Sequence, residues 1–201
     1  MKASSEATDR RVKKSKKAMQ QALLEWMEEK DFNSITITDI VQRADVNRGT
    51  FYKHYEYKEQ LLEEIMDGVT ADLKEAFREP YKSKAMLELP KLTVSSVKIF
   101  EHVLKHERFY TLVIASNALT GFQHKLASIL RGLLLEDLLQ TTEDDGIDRK
   151  LQAGYHSHAI FGMIVEWVRG GFEYKPEYMS EQLLLILRSR PVNVVFKAET
   201  P

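Results

Sequence analysis

SITITDIVQRADVNRGTFYKHYEYKEQLL, residues 34–62, is the stretch whose reading decides the fold. Thr36 is followed three residues later by Asp39, a capping-box spacing in which hydroxyl and carboxylate each take up an orphan backbone N–H, so a short helix begins here. Ile40, Val41 and Ala44 give that helix an apolar side. Asp45 interrupts it, being one of the few non-glycine types that tolerate a left-handed backbone. Asn47 then caps a second short helix, on which Arg48, Gly49, Thr50, Tyr52, Lys53 and His54 lie among the apolar anchors Phe51 and Tyr55. Hydrogen-bond donors outnumber acceptors on it, and the whole reads as a helix-turn-helix.

The second helix of such a motif enters the DNA major groove. Arg48 suits bidentate pairing with guanine, Asn47 suits adenine, and Thr50 suits a thymine methyl or a phosphate. Gly49 offers close backbone approach. Tyr52, Lys53, His54 and Lys58 suit phosphate oxygens, which position a protein without reading sequence. The competing reading is a solvated helix whose charges contact nothing; two consecutive caps around a turn argue against it.

The spacing T-x-x-D-I-x-x-x-A-x-V-N-R-G-T-F-Y-x-H-Y-x-x-K-x-x-L-L resembles the amino-terminal domain of TetR-family transcriptional regulators over about residues 11–66. By position, the resemblance places Thr36, Asn47, Arg48, Gly49, Thr50, Tyr52, Lys53, His54 and Lys58 where family members contact operator DNA. Asp45 stands where glycine is usual, and Tyr57 where a small capping residue is common. The second departure leaves the following helix weakly capped.

Net charge over the 201 residues is −1, but it is unevenly spread. Residues 1–17 hold seven cations (Lys2, Arg10, Arg11, Lys13, Lys14, Lys16, Lys17) against Glu6 and Asp9, a local +5, leaving −6 for the remainder. A basic arm on an acidic body concentrates phosphate attraction at one end; for residues 1–9 a flexible solubilising tail is the competing reading. The absence of cysteine excludes disulfides, thiol nucleophiles and thiolate zinc sites. The opening MKASSEATDRR lacks the apolar core of a signal peptide, and the run Leu183–Leu187 is too short to span a bilayer, so a cytoplasmic protein with no membrane partner is expected.

Helical spacing of apolar residues predicts an all-α chain. A first helix over about 11–30 carries Ala18, Met19, Ala22, Leu23, Trp26 and Met27, with Trp26 a packing residue. A long helix over about 58–78, some 30 Å at about 1.5 Å per residue, ends at Pro80. Residues 79–90 form a boundary, and Pro90 opens a helix carrying Val94, Val97, Phe100, Val103 and Leu104. A short segment over 108–115, a longer helix after Gly121, an acidic loop with Asp148 as N-cap, and helices over 149–169 and 176–189 complete the chain; the tail PVNVVF suits a short extended piece. The expected organisation is a three-helix helix-turn-helix DNA-binding domain at 1–57, arm included, and a larger helical effector-binding and dimerisation domain at 58–201.

Ala159 and Gly162, with the leucine cluster near the carboxyl end, allow close helix approach; an intramolecular core is the competing reading. The family resemblance implies a homodimer through the helices near 149–169 and 176–189. Such a dimer would read a palindromic operator, most simply as a repressor. It also implies an effector, small molecule or protein, received in the second domain, where Phe100, Phe109, Tyr110, Asn117, Phe122, His156, Met163 and Trp167 are the candidate contacts. Core packing is the plainer role for each. No catalytic motif is present, and no cofactor is implied. His102 and His106 stand at the i,i+4 spacing of a metal chelate. The Val-Leu-Lys between them lacks the glutamate of a zinc hydrolase, so two exposed histidines on one helix face, with no metal, is the expectation. A helical interaction or ligand-carrier module without DNA binding is the alternative function, and an undetected hydrolase a third.

Overall fold

The computed structural model describes residues 2–82, 91–115, 120–138 and 146–189, and no strand occurs among them. Nine helices are described: α1 (Lys2–Glu29), α2 (Ile37–Arg43), α3 (Arg48–Tyr52), α4 (Lys58–Arg78), α5 (Ile99–Lys105), α6 (Glu107–Ala115), α7 (Thr120–Leu133), α8 (Arg149–Arg169) and α9 (Pro176–Arg188). The all-α class and the placement of a three-helix amino-terminal unit before a larger helical region agree with the sequence reading. The expected tail PVNVVF, Pro90, and most of the acidic loop lie outside the described residues.

α1 is longer than its apolar stripe suggested, since helical backbone extends back to Lys2. Met19, Ala22 and Leu23 are its buried seam, at the i, i+3, i+4 spacing that puts residues on one face. α1 packs on α2, α4 and α6. Beyond it, Asp31 accepts from the Asn33 amide at 2.8 Å and caps a 3₁₀ turn over Phe32–Ser34, which delivers Ile35 into the core.

The turn between α2 and α3 has a complete backbone account. The Val46 amide donates to the Val41 carbonyl at 3.0 Å and the Asp45 amide to the Gln42 carbonyl at 3.3 Å, which is the Schellman pattern. That pattern needs a left-handed residue after the C-cap, and Asp45 supplies it at φ 52°. Phe51 and Tyr55, both buried, then fasten α3 to the core with ring centroids 5.4 Å apart.

α4 is the structural beam. Leu61, Leu62, Ile65, Val69, Leu73 and Phe77 are buried along it, and it contacts α1 at one end and α5 and α7 further on. Its N-cap Tyr57 makes no side-chain capping bond, as its residue type implied. Pro80 falls in a 3₁₀ turn over Glu79–Tyr81 that ends it.

The expected single helix from Pro90 to Leu104 is corrected by the structure. Val94–Ser96 is a separate 3₁₀ turn, Val97 is extended at φ −116° and ψ 94°, and α5 starts only at Ile99. The cause is local: the Thr93 hydroxyl lies 2.8 Å from that of Ser95 and 3.1 Å from that of Ser96, and such side chains compete with helical backbone bonding. The freed Val97 carbonyl accepts from the Ser180 hydroxyl of α9 at 3.1 Å. α7 packs on α8, and continues through a π-helical turn over Leu134–Leu138. Asp148 caps α8 by accepting from the Lys150 and Leu151 amides.

Replacing Asp45 distinguishes a left-handed requirement from a side-chain role. Asp45→Gly is expected to leave stability near that of the parent, whereas Asp45→Val, β-branched at positive φ, should cost about 1–2 kcal/mol. Urea denaturation of the two variants measures this, and equal stability would refute the backbone argument.

Candidate nucleic-acid interface

The helix-turn-helix is held to α1 by a bracket around one indole. Trp26 donates its Nε1–H to the Asp39 carbonyl at 3.0 Å, tying α1 to α2. The Arg43 guanidinium lies 3.6 Å over the same ring, and the Lys30 ammonium 4.4 Å from its centroid. Both cations also close ion pairs, Arg43 with Glu29 at 2.7 Å and Lys30 with Asp39 at 2.8 Å. Trp26 is thus a packing residue, as its place in the apolar stripe indicated.

The α2 cap is the one read from sequence. The Asp39 amide donates to the Thr36 hydroxyl at 3.1 Å, and the Thr36 amide donates back to the Asp39 carboxylate at 2.8 Å. Lys30 first, then the Thr36 amide and hydroxyl, hold the Asp39 carboxyl down at about 2, against an ordinary 3.8. Asn47 caps α3, its Oδ1 accepting from the Gly49 amide at 2.7 Å. A Cβ on Gly49 would stand 3.3 Å from that oxygen, so glycine leaves the cap undisturbed.

Thr36, Asn47, Arg48, Gly49, Tyr52 and Lys53 are exposed together on this face, while Thr50 and His54 are half-buried. Arg48 reaches along its own helix, donating to the Tyr52 hydroxyl at 3.2 Å. Among the described residues neither Arg48 nor Lys53 pairs with a carboxylate, in contrast to Lys16, Lys30 and Arg43 just behind them. The surface therefore offers unpaired positive charge on an exposed, capped helix, the arrangement that attracts polyanions.

Lys58 is placed differently from its phosphate expectation. Its ammonium donates to the carbonyls of Phe32 at 2.6 Å, Asn33 at 3.0 Å and Ile35 at 2.7 Å, which uses all three of its protons. Nothing in the sequence marks those carbonyls, since the turn that aims them is 23 to 26 residues away.

The effector candidates separate into two packed groups. Phe100 and Trp167 meet edge to face at 5.7 Å, and Phe109 stands edge to face with Phe122 at 5.0 Å and with Tyr110 at 5.8 Å. All five are buried. His156 and Met163 are half-buried on α8, and Asn117 lies outside the described residues. An open groove of a different composition runs beside α8, lined by Arg131, Lys150, Leu151, Tyr155 and His158 among others.

A capped helix, Schellman turn and capped helix on a helical second unit define a helix-turn-helix protein. Residues 21–65 match the family described as bacterial regulatory proteins, tetR family, and residues 93–189 match a transcriptional regulator C-terminal region. The chain belongs to the TetR family of transcriptional regulators. It is 31% identical over 197 residues to an uncharacterized HTH-type transcriptional regulator, YxbF, of Bacillus subtilis strain 168, covering 93% of this chain and 48% of that one. The chain thus spans about half the length of that curated relative. Among solved structures, the dihydroxyacetone kinase operon activator DhaS superposes with a TM-score of 0.62 at 19% identity, over 86% of this chain and 93% of that one. Thermus thermophilus FadR, a transcriptional repressor in complex with lauroyl-CoA, gives 0.52 at 19% identity, over 92% and 98%. No described helix is long and apolar enough to cross a membrane.

Two stability expectations follow from the geometry. Lys58→Met should cost about 1–3 kcal/mol by stripping three carbonyls of a charged donor, while Lys53→Met on the exposed face should stay within about 0.5 kcal/mol. Chemical denaturation separates them, and equal effects would undo the assignment of Lys58 to the turn. Because Asp39 is depressed in the fold, its contribution is complete above about pH 4 and is lost as pH falls toward 2. Asp39→Asn should flatten the stability profile in that window, measured by urea midpoints against pH.

Proposed function

We propose that this protein binds a palindromic duplex operator as a homodimer, through α3 in the major groove, and represses transcription until an effector reaches its second domain. The observation that carries the reading is the exposed α3 face, where among the described residues Arg48 and Lys53 stand without carboxylate partners while the cations supporting the motif are paired. In this reading Arg48 reads a guanine, and Thr36, Gly49, Thr50, Tyr52, Lys53 and His54 meet the backbone or neighbouring base edges. Asn47 is a positioning residue, because bidentate pairing with adenine would take its Oδ1 away from the α3 cap. Lys58 is likewise a fastener of the turn. The head comprises residues 1–57, and α4 onward belongs to the receiving and dimerising unit.

Dimerisation is supported by apolar side chains that the single chain leaves in water. Leu151 and Tyr155 on α8 are 73% and 72% exposed, and Leu185 and Ile186 on α9 are 53% and 54% exposed. Two helices with such faces suit a bundle with their copies, and two heads about 34–36 Å apart, or a multiple of that distance, suit a palindrome. Repression is the assignment shared with FadR, and its lauroyl-CoA complex supports a small-molecule effector. Reception here would require the aromatic groups around Phe100 and Phe109 to part, or the groove beside α8 to serve.

Fluorescence anisotropy with a duplex from upstream of the protein's own gene, against a scrambled duplex, tests the proposal. Sequence-preferring binding that weakens steeply with salt is expected. Arg48→Ala should lose about 1–3 kcal/mol at its contacted base pair, and Lys53→Met should lower the salt slope by about one. Leu151→Glu with Ile186→Glu should give a monomer by sedimentation and abolish tight binding. Failure to bind any member of a wide duplex library, with and without candidate effectors, would overturn the reading.

A further inference from the structure

His102 and His106 do not lie exposed on a helix face, as their spacing first suggested. His102 is 3% exposed, and both rings turn inward toward α4, where Asp72 receives them. Asp72 Oδ2 is 3.1 Å from His102 Nδ1 and 2.8 Å from His106 Nε2, and one ligand atom from each of the three residues lies within 4.8 Å of the others. We propose that Asp72, His102 and His106 form a divalent transition-metal site, taking Zn²⁺ or a similar borderline ion, that ties α4 to α5.

Three features support it. Two imidazoles and one carboxylate are a donor set that such ions prefer. A tetrahedral ion with bonds of about 2.0–2.1 Å needs ligand atoms about 3.4 Å apart, which the three groups reach by small rotations. The Tyr110 hydroxyl lies 3.0 Å from His102 Nε2, the outer partner that fixes which ring nitrogen faces the ion.

Lys105 explains how the site is stable without an ion. Its ammonium sits 3.0 and 2.9 Å from the two Asp72 oxygens and neutralises them in place of a metal. At 63% side-chain exposure it can swing away, opening the solvent side for the ion and a water ligand. Each neutral imidazole then binds through the nitrogen facing Asp72, its proton residing on the far nitrogen. For His102 the Tyr110 hydroxyl turns from donor to acceptor.

Chelator-treated, untagged full-length protein titrated with Co²⁺, followed by its visible absorption and by Zn²⁺ competition, provides the test. One ion per chain is expected, with a rise in melting temperature. His106→Gln and Asp72→Asn should weaken binding at least about tenfold, and Tyr110→Phe about 10–100-fold. Lys105→Met should tighten it, a result that a purely structural hydrogen-bond cluster would not give and that stands even if Asp72→Asn fails to fold. Absence of a Co²⁺ spectrum at millimolar metal, or uptake unchanged in His106→Gln and untouched by Lys105→Met, would overturn the proposal.

Discussion

The Lys58 ammonium stands at the first residue of α4 and gathers the carbonyls of Phe32, Asn33 and Ile35, with the Phe32 ring 4.6 Å beneath it. Those carbonyls belong to the 3₁₀ turn between α1 and α2, where that of Phe32 also accepts from the Ile35 amide at 3.1 Å, and the ammonium adds a charged donor to each of them. The same bond sets where α4 begins relative to the head. Tyr57 gives α4 no side-chain cap, so its start is defined from outside, by Lys58 and by the Gln60 side chain accepting from the Glu56 amide at 2.8 Å. The position of α3 on the surface therefore depends on a contact that no part of α3 makes.

Charge is distributed with the same economy. Behind the motif, Lys16 meets Glu64, Lys30 meets Asp39, and Arg43 meets Glu29. These pairs are partly exposed and each adds little to stability on its own. Their joint effect is orientational, because Lys30 and Arg43 bracket Trp26 and so hold α2 against α1. On α3 the pairing stops. Among the described residues Arg48 bonds to the Tyr52 hydroxyl and lies near its ring, which keeps the guanidinium extended along the helix without neutralising it.

The sequence made local structure legible and distant partnership obscure, for a physical reason. Caps and turns act over three or four residues, so Thr36 with Asp39, Asp45, Asn47 and Asp148 announce their roles by type and spacing. The helix from Pro90 was misread because apolar periodicity outweighed the hydroxyl cluster at Thr93, Ser95 and Ser96, which diverts the backbone. The bonds of Lys58 to the turn and the burial of His102 were not legible, because both concern what lies across a tertiary contact. Asp72 is 30 residues from His102, and among thirty acidic residues nothing marks it out. The two aromatic groups were anticipated as residues, but whether they form core or cavity depends on packing between helices, which residue type does not encode.

α4 turns these separate contacts into one mechanical element. Lys58 fixes its first turn to the head, and Asp72, fourteen residues on and about 21 Å along the axis, fixes it to α5 through His102, Lys105 and His106. Between these points Leu61, Leu62, Ile65 and Val69 are buried, so the helix has little freedom to bend locally. A helix packed in this way would carry a displacement at its far end to the turn that seats the motif. α1 offers a parallel link, since Arg108 of α6 pairs with Glu28 at 2.6 Å. A ligand that favours one placement of α5 and α6 over another by a few kcal/mol would bias both links in the same sense, and that differential affinity is all that coupling between two sites requires.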